Sequence, residues 1–407
     1  MRLTKLNKTI MSQNIADLIH QHAIKFYPEI KSFREEMHAN PELSFKEFET
    51  AERICKALKK AGISYRNGIA GTGIIAEIKG QNPDKKLIAL RADMDALPIQ
   101  ELNDVPYQSK NAGVMHACGH DVHSACLLGA LKILQEIKNE WEGTVWGIFQ
   151  PGEELLPGGA KLMLEAGIFK ERKPNAIFAQ HVYPDLPVGY VGFRPGAYMA
   201  STDEIYLTVK GKGGHGALPH LNIDPVLAAA HILIALQQVV SRHAQPNVPS
   251  VLSFGKVIAN GATNVIPDEV KLEGTFRTMN EKWRGKAHEL ITQIAQQTAA
   301  ACGASCEVSI ISGYPALSND EQLTSKAIEN AQFFLGNENV KSLDIRMTAE
   351  DFAWFAQDFP VCFYRLGTAS PDGHFKVGVH NANFDIDANA LKTGMSFFAF
   401  LAISDLK

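Results

Sequence analysis

The strongest constraint on this chain is a change in the order of its elements partway along. Between residues 73 and 180, strand-like apolar runs alternate with helical patterns: Gly73 to Ile78, Lys86 to Leu90, Thr144 to Phe149 and Ala176 to Gln180 read as strands. Helices are expected from about Val122 to Ile137 and around Ala160 to Glu165. Ser44 with Glu47 three residues later has the spacing of a capping box, opening a helix to about Lys60 that Gly62 ends. This alternation predicts an α/β sheet with helices on both faces, where ligands gather at the carboxyl ends of the strands.

Near Met199 the order becomes β-α-β-β-α-β. Glu204 to Lys210 alternates as a half-exposed strand, and Asp224-Pro225 caps and opens a helix to about His243. Ser250 to Val257 and Val265 to Thr278 read as strands, Asn280 caps a helix of about twenty residues, and Cys306 to Ile311 is the last strand. That order is the ferredoxin-like split arrangement. After Gly313 the helix and strand alternation returns, with a strand at Val361 to Leu366 and a helix from about Ala388 to Ile403. A length of 407 residues also favours two domains. The expected division is 1–198 and 313–407 for a discontinuous α/β domain, with 199–312 inserted.

Composition enters mainly as exclusion. A formal charge of -4 with no basic run argues against a nucleic-acid surface. No apolar stretch is expected to approach a membrane span of about 20 residues. The first fourteen residues carry Lys5 and Lys8 with no apolar segment behind them, unlike a secretory signal, and a start at Met11 would remove nothing recognisable. Six cysteines in a chain this long suit reduced thiols rather than a disulfide framework, so a cytoplasmic setting is expected.

Polar clusters follow the strands. The densest is Met115-His116-Ala117-Cys118-Gly119-His120-Asp121-Val122-His123, whose thiol and imidazoles suit zinc and its first-row neighbours. One short loop cannot aim every ring at one ion, so His116 and His123 stay open. Glu153 and Glu154 follow an apolar strand. Two adjacent carboxylates need cations if buried, and their different directions allow one to bind metal while the other moves a proton. Asp93 and Asp95 share one side of an extended segment and could brace metal-binding imidazoles. By spacing alone, His181 and His380 are satisfied core histidines, and His215, set among glycines, is a hairpin histidine facing water.

Together these segments resemble the M20 metallopeptidase family in its amidohydrolase branch, which includes hippurate hydrolases, N-acetyl-amino-acid deacetylases and hydrolases of indole-acetyl amino acids. The resemblance runs from His38-Ala39-Asn40-Pro41-Glu42-Leu43 to Phe384-Asp385. Its most specific stretches are Met115 to His123, Gln150 to Glu154, Gly211 to Pro219 and Met347-Thr348-Ala349-Glu350-Asp351-Phe352. It implies two divalent ions per subunit, Zn2+ or Mn2+ with Ni2+ or Co2+ also suited, held by Cys118, His120, Glu154, His181 and His380. Glu153 falls on the general-base position and Asp95 on the aspartate that orients a ligand. Asp93 stands where other branches place a metal-binding histidine. The inserted domain would be a lid and homodimerisation domain, with His215 reaching the neighbouring subunit's site and Asn264 and Arg277 binding substrate. Related enzymes often have Ala where this chain has Gly152, and Pro where it has Ala382. The expected reaction is hydrolysis of N-acyl amino acids. A small-peptide exopeptidase or dipeptidase, and a metal-binding protein with a dead site, are the alternatives. Intact Glu153 argues against the last, because metal binding alone does not need a second carboxylate.

Overall fold

The computed structural model describes residues 2–406, with side chains from residue 13 onward. It forms two compact units. One runs to Gly196 and takes in Ser318–Asp344 and the chain from Trp354; the other is Ala197–Leu317 with Ile345–Ala353.

The first unit is a mixed α/β structure. Its early elements are helix α1 (Arg2–Ala39), helix α2 (Phe48–Lys60), β1 (Ser64–Ile69), β2 (Gly73–Lys79) and β3 (Leu87–Asp93). They are followed by α3 (His120–Glu136), β4 (Thr144–Gln150), α4 (Gly159–Glu165), β5 (Ala176–Pro187) and β6 (Val191–Phe193). With Val340–Ser342 and Val361–Ala369, these strands make one eight-stranded sheet in the order β1-β2-β4-β3-β5-(361–369)-β6-(340–342). Strands β3, β4 and β5 are buried along most of their length, as the continuous apolar runs require of strands covered on both faces. β3 is parallel to both β4 and β5, and β5 is parallel to Val361–Ala369. Their carboxyl ends therefore share one edge, and the polar clusters were expected after those ends.

Two features depart from the sequence reading. The sequence reading assigns no element before Ser44, where α1, the longest helix among the described residues, continues through Pro28. Its buried Ile15, Ile19, Ile30, Phe33 and Met37 join the core that α3 and the closing helix Ala390–Leu406 complete. The capping box at Ser44 and Glu47 is absent. Helix α2 begins at Phe48 with Glu47 in the cap position and no side-chain cap bond. Ser44 instead donates its hydroxyl proton to Asp95 (2.6 Å), and Glu47 turns to the backbone of Phe45 and Gly152.

A buried ion network ties α1 to the start of α3. Arg34 contacts Asp121 at 2.7 Å and Asp385 at 2.8 Å, and His38 bridges Asp121 (2.7 Å) and Glu101 (3.1 Å). Burial opposes the charges, but Arg34 and His38 hold the Asp121 carboxyl far below the usual range.

The second unit has a four-stranded antiparallel sheet in the order Ser250–Ile258, Glu269–Thr278, Asp203–Lys210, Ser305–Ser312. Helices Pro225–Gln238 and Glu281–Ala301 share its core. Asp224 and Asn280 cap them as the sequence predicts, through Val226 N–H and Trp283 N–H. The run from Val265 to Thr278 is two strands rather than one, Val265–Ile266 and Glu269–Thr278. Pro267 lies at the break and has no N–H for a ladder.

The expectation about apolar stretches also needs correcting. Pro225–His243 is long and apolar enough, by length and composition, to cross a membrane. Its alanine-rich buried face, with Ala228, Ala229, Ile232 and Leu236, packs in the core of this unit, and a π turn at Val239–His243 extends its length.

The Arg34 network gives a direct test. Arg34→Leu leaves Asp121 and Asp385 buried without their main cation, so the variant should lose about 3–5 kcal/mol in a urea unfolding titration. A loss below about 1 kcal/mol would show that the carboxylates find other partners.

Candidate metal centre

At the shared carboxyl edge of the first unit, five segments converge. Gly119 stands before the first turn of α3 in the left-handed region (φ +80°), and a Cβ there would lie 2.6 Å from Val182 Cγ2. Glycine thus lets the Cys118–His120 turn close against β5. His120 opens α3, His181 lies within β5, and Glu153 and Glu154 follow β4. His380 has φ +62° and donates its backbone N–H to Ala117 O at 2.8 Å, which ties the C-terminal histidine to the cysteine turn.

Donor atoms of Cys118, His120 and His181 lie within 4.8 Å of one another, as do those of Cys118, Glu154 and His380, and of His120, Glu153 and Glu154. Cys118 Sγ is 3.4 Å from His181 Nε2, and His380 Nε2 is 3.1 Å from Glu154 Oε1. The ring hydrogen bonds settle which nitrogens face the cluster. His181 Nδ1 donates to Val182 O (2.8 Å), leaving the Nε2 lone pair toward Cys118. His120 Nδ1 binds Asp95 (3.1 Å), while its buried Nε2 has no hydrogen-bond partner.

His123 is different. Its Nε2 accepts the Val182 N–H (2.9 Å), so its Nδ1 carries the proton given to Asp93 (2.6 Å). Both nitrogens are committed, and the ring braces Asp93 and β5. His116 shares the same turn but belongs to none of these groupings, and burial pushes its pKa down to about 4.

The electrostatics call for a cation. Burial alone would lower the pKa of His120, but Asp93, Asp95 and Glu154 raise it to about 10. Burial, with Glu154, Glu153 and Asp93 nearby, pushes the Cys118 thiol far up. Burial and Arg365 keep His181 neutral, the form that offers a lone pair. Although burial favours its acid form, His120, Arg91 and His123 hold Asp93 ionised. A soft thiolate, imidazoles and carboxylates around an unpartnered imidazole nitrogen fit divalent first-row metals.

Asp95 does more than orient His120. Its Oδ2 accepts from Ser44 Oγ (2.6 Å) and from Glu154 N–H (3.0 Å). Arg91, Ser44 and Glu47 were not singled out as site residues from sequence. Arg91 binds Asp93 (2.6 Å) and Gln150 (2.8 Å), and its two-residue spacing from Asp93 on β3 is the signal that could have found it.

The remaining candidates lie in the second unit. His215 pairs with Val265 on a two-stranded ribbon, and Asn264 O accepts from Gly216 N–H at 2.8 Å, so these two are neighbours. His215 Nδ1 accepts from Ala217 N–H at 3.0 Å. Arg277 lies on Glu269–Thr278, half-buried, and donates to Met347 O at 3.3 Å.

A mixed α/β unit with a thiol, imidazoles and paired carboxylates at its parallel-strand edge has the make-up of a metal-dependent hydrolase. Residues 89–404 match the model of peptidase family M20/M25/M40, and the chain belongs to that family. It is 39% identical over 379 residues to N-acetylcysteine deacetylase of Bacillus subtilis, covering 93% of this chain and 97% of that one. It is 37% identical over 382 residues to IAA-amino acid hydrolase ILR1-like 4 of Arabidopsis thaliana, covering 93% and 86%. The crystal structure of the Bacillus subtilis YXEP protein, described as a dinuclear metal-binding peptidase of the M20 family, matches with a TM-score of 0.80 at 36% identity, covering 94% and 99%. The chain is a hydrolase of amide bonds.

If Cys118 is a metal ligand, Cys118→Ser should weaken metal affinity at least ~10-fold, read by elemental analysis after dialysis. Cys55→Ser, at a buried thiol on α2 outside all of these groupings, should leave metal content unchanged. Equal metal loss in both variants would remove Cys118 from the ligand set.

Proposed function

We propose that this enzyme hydrolyses the amide bond of N-acyl amino acids, giving a carboxylic acid and a free amino acid. The observation that carries the reading is Glu153 beside the Cys118, His120, Glu154, His181 and His380 cluster. The names of the deacetylase and auxin-conjugate hydrolase relatives point to the same bond. In this reading two divalent ions are held by those five residues, with Asp95 holding the His120 ring. When bound, such ions supply Lewis acidity toward a water and the amide carbonyl.

Glu153 takes the proton of the attacking water as that oxygen adds to the acyl carbon. It then gives the proton to the amide nitrogen as the C–N bond breaks. Glu154 cannot exchange roles with it, because its backbone N–H is fixed on Asp95 and its carboxylate faces His380.

The second unit is assigned as a ferredoxin-like lid, supported by its strand order with two helices in one core. We take it also to form a homodimer, with His215 acting in the neighbouring subunit's site. Asn264 would bind the substrate carbonyl and Arg277 the α-carboxylate, through a charge-assisted pair that a guanidinium suits. Burial lowers the Arg277 pKa, so an anionic partner would relieve a cost the free enzyme carries.

Glu153→Gln should keep bound metal near wild type and lower kcat at least ~10²-fold. Substantial metal loss would make Glu153 a ligand instead of the base. On a panel of N-acyl amino acids, their α-amides and dipeptides, free N-acyl amino acids should be preferred, with amidation costing at least ~10-fold in kcat/KM. Preference for dipeptides would move the assignment to a small-peptide exopeptidase.

A further inference from the structure

The turn before α2 makes contacts that its role as a helix start does not need. Glu47 is fully buried, and its Oε1 accepts two backbone N–H groups, those of Phe45 and Gly152, each at 2.8 Å. Its Oε2 accepts the Thr72 hydroxyl at 2.8 Å. The Gly152 bond joins residues 105 apart in sequence and lands one residue before Glu153.

Phe45 closes the same spot sterically. It has φ +63°, unusual for a side-chain-bearing residue, and its ring covers Gly152 so closely that a Cβ there would sit 2.3 Å from Phe45 Cε1. Gly152 itself has φ +55°. On the other side of the turn, Ser44 binds the Asp95 oxygen that also receives the Glu154 N–H. The backbone on both sides of Glu153 is therefore fixed from residues 44–47, at Gly152 through Glu47 and at Glu154 through Asp95.

We propose that Glu47 is a positioning residue: by holding the Gly152 amide, its carboxylate sets the direction in which Glu153 and Glu154 leave β4. The inference rests on the assignment of Glu153 as base. The turn acts as a clamp on the carboxylate loop, with Phe45 filling the space behind Gly152 so that the loop cannot retreat. Placement matters at this level because a displacement of about 1 Å in a reacting group costs about 10²-fold in rate.

Two substitutions separate positioning from helix capping. Glu47→Asp keeps the charge and places a favoured residue at the cap of α2, but is one methylene too short to reach Gly152. Glu47→Gln keeps the length and an acceptor oxygen for the two amides, and the Thr72 hydroxyl can rotate to accept from its NH2 group. Both would be compared with wild type as metal-reconstituted enzymes, by steady-state kinetics on an N-acyl amino acid and by amide hydrogen exchange of the peptide spanning residues 149–155.

Glu47→Asp should lower kcat about 10²-fold with KM within ~3-fold, and exchange in that peptide should quicken while α3 peptides stay unchanged. Glu47→Gln should stay within ~10-fold of wild-type kcat. Unchanged exchange in Glu47→Asp overturns the clamp, and faster exchange with unchanged kcat overturns its bearing on the base. Glu47→Gln as impaired as Glu47→Asp would also overturn it, because keeping the reach to Gly152 would then not keep the rate. If wild type hydrolyses no N-acyl amino acid, the proposed function fails, and the exchange data still decide whether Glu47 holds the loop.

Discussion

The first unit depends on concentrating negative charge where water is nearly absent. Asp93, Asp95 and Glu153 are buried beside half-buried Glu154 and the buried Cys118 thiol, at the edge where parallel strands end. Carboxylates this close repel one another strongly in a low-dielectric site. Protein cations meet part of the demand, since Arg91 neutralises Asp93 and His120 is drawn toward its charged form by the acids around it. What they leave is a thiol and a set of imidazole and carboxylate donors aimed at common points. An arrangement costly without cations becomes favourable with them.

Rigidity around this charge comes from bonds one layer out. Asp95 alone fixes the His120 ring, the Ser44 hydroxyl and the Glu154 backbone. His123 spends both nitrogens linking Asp93 to β5, and the Arg34–Asp121–His38 network anchors α3 from behind. Donors whose hydrogen bonds are already fixed need little reorganisation when a ligand arrives, and this is the structural basis of preorganised catalysis. His123 lies within the same reach of Asp93 and His120, but both of its nitrogens are spent on Asp93 and the Val182 N–H.

Much of this was legible in the sequence, for physical reasons that differ between residues. Strands β3, β4 and β5 announced themselves because strands covered on both faces must be continuously apolar, and acids or histidines at their ends then stand out. Asp224 and Asn280 were readable because capping is local. Ser44 and Glu47 were misread because the same two residue types, three apart, serve either a helix end or distant partners, and Asp95 and Gly152 lie 51 and 105 residues away. Helix α1 did carry a local signal, since its buried Ile15, Ile19, Ala23, Phe26, Ile30, Phe33 and Met37 recur three and four residues apart, as one helix face requires. The distinction between His120 and His123 was beyond spacing, since it rests on one backbone N–H from β5.

In the proposed site, Cys118 binds a metal as a thiolate among imidazole and carboxylate donors. X-ray absorption on the zinc-loaded enzyme tests it most directly. A sulfur scatterer is expected at about 2.3 Å together with nitrogen and oxygen at about 2.0–2.2 Å, the sulfur vanishing in Cys118→Ser. A wild-type shell of nitrogen and oxygen alone would contradict it.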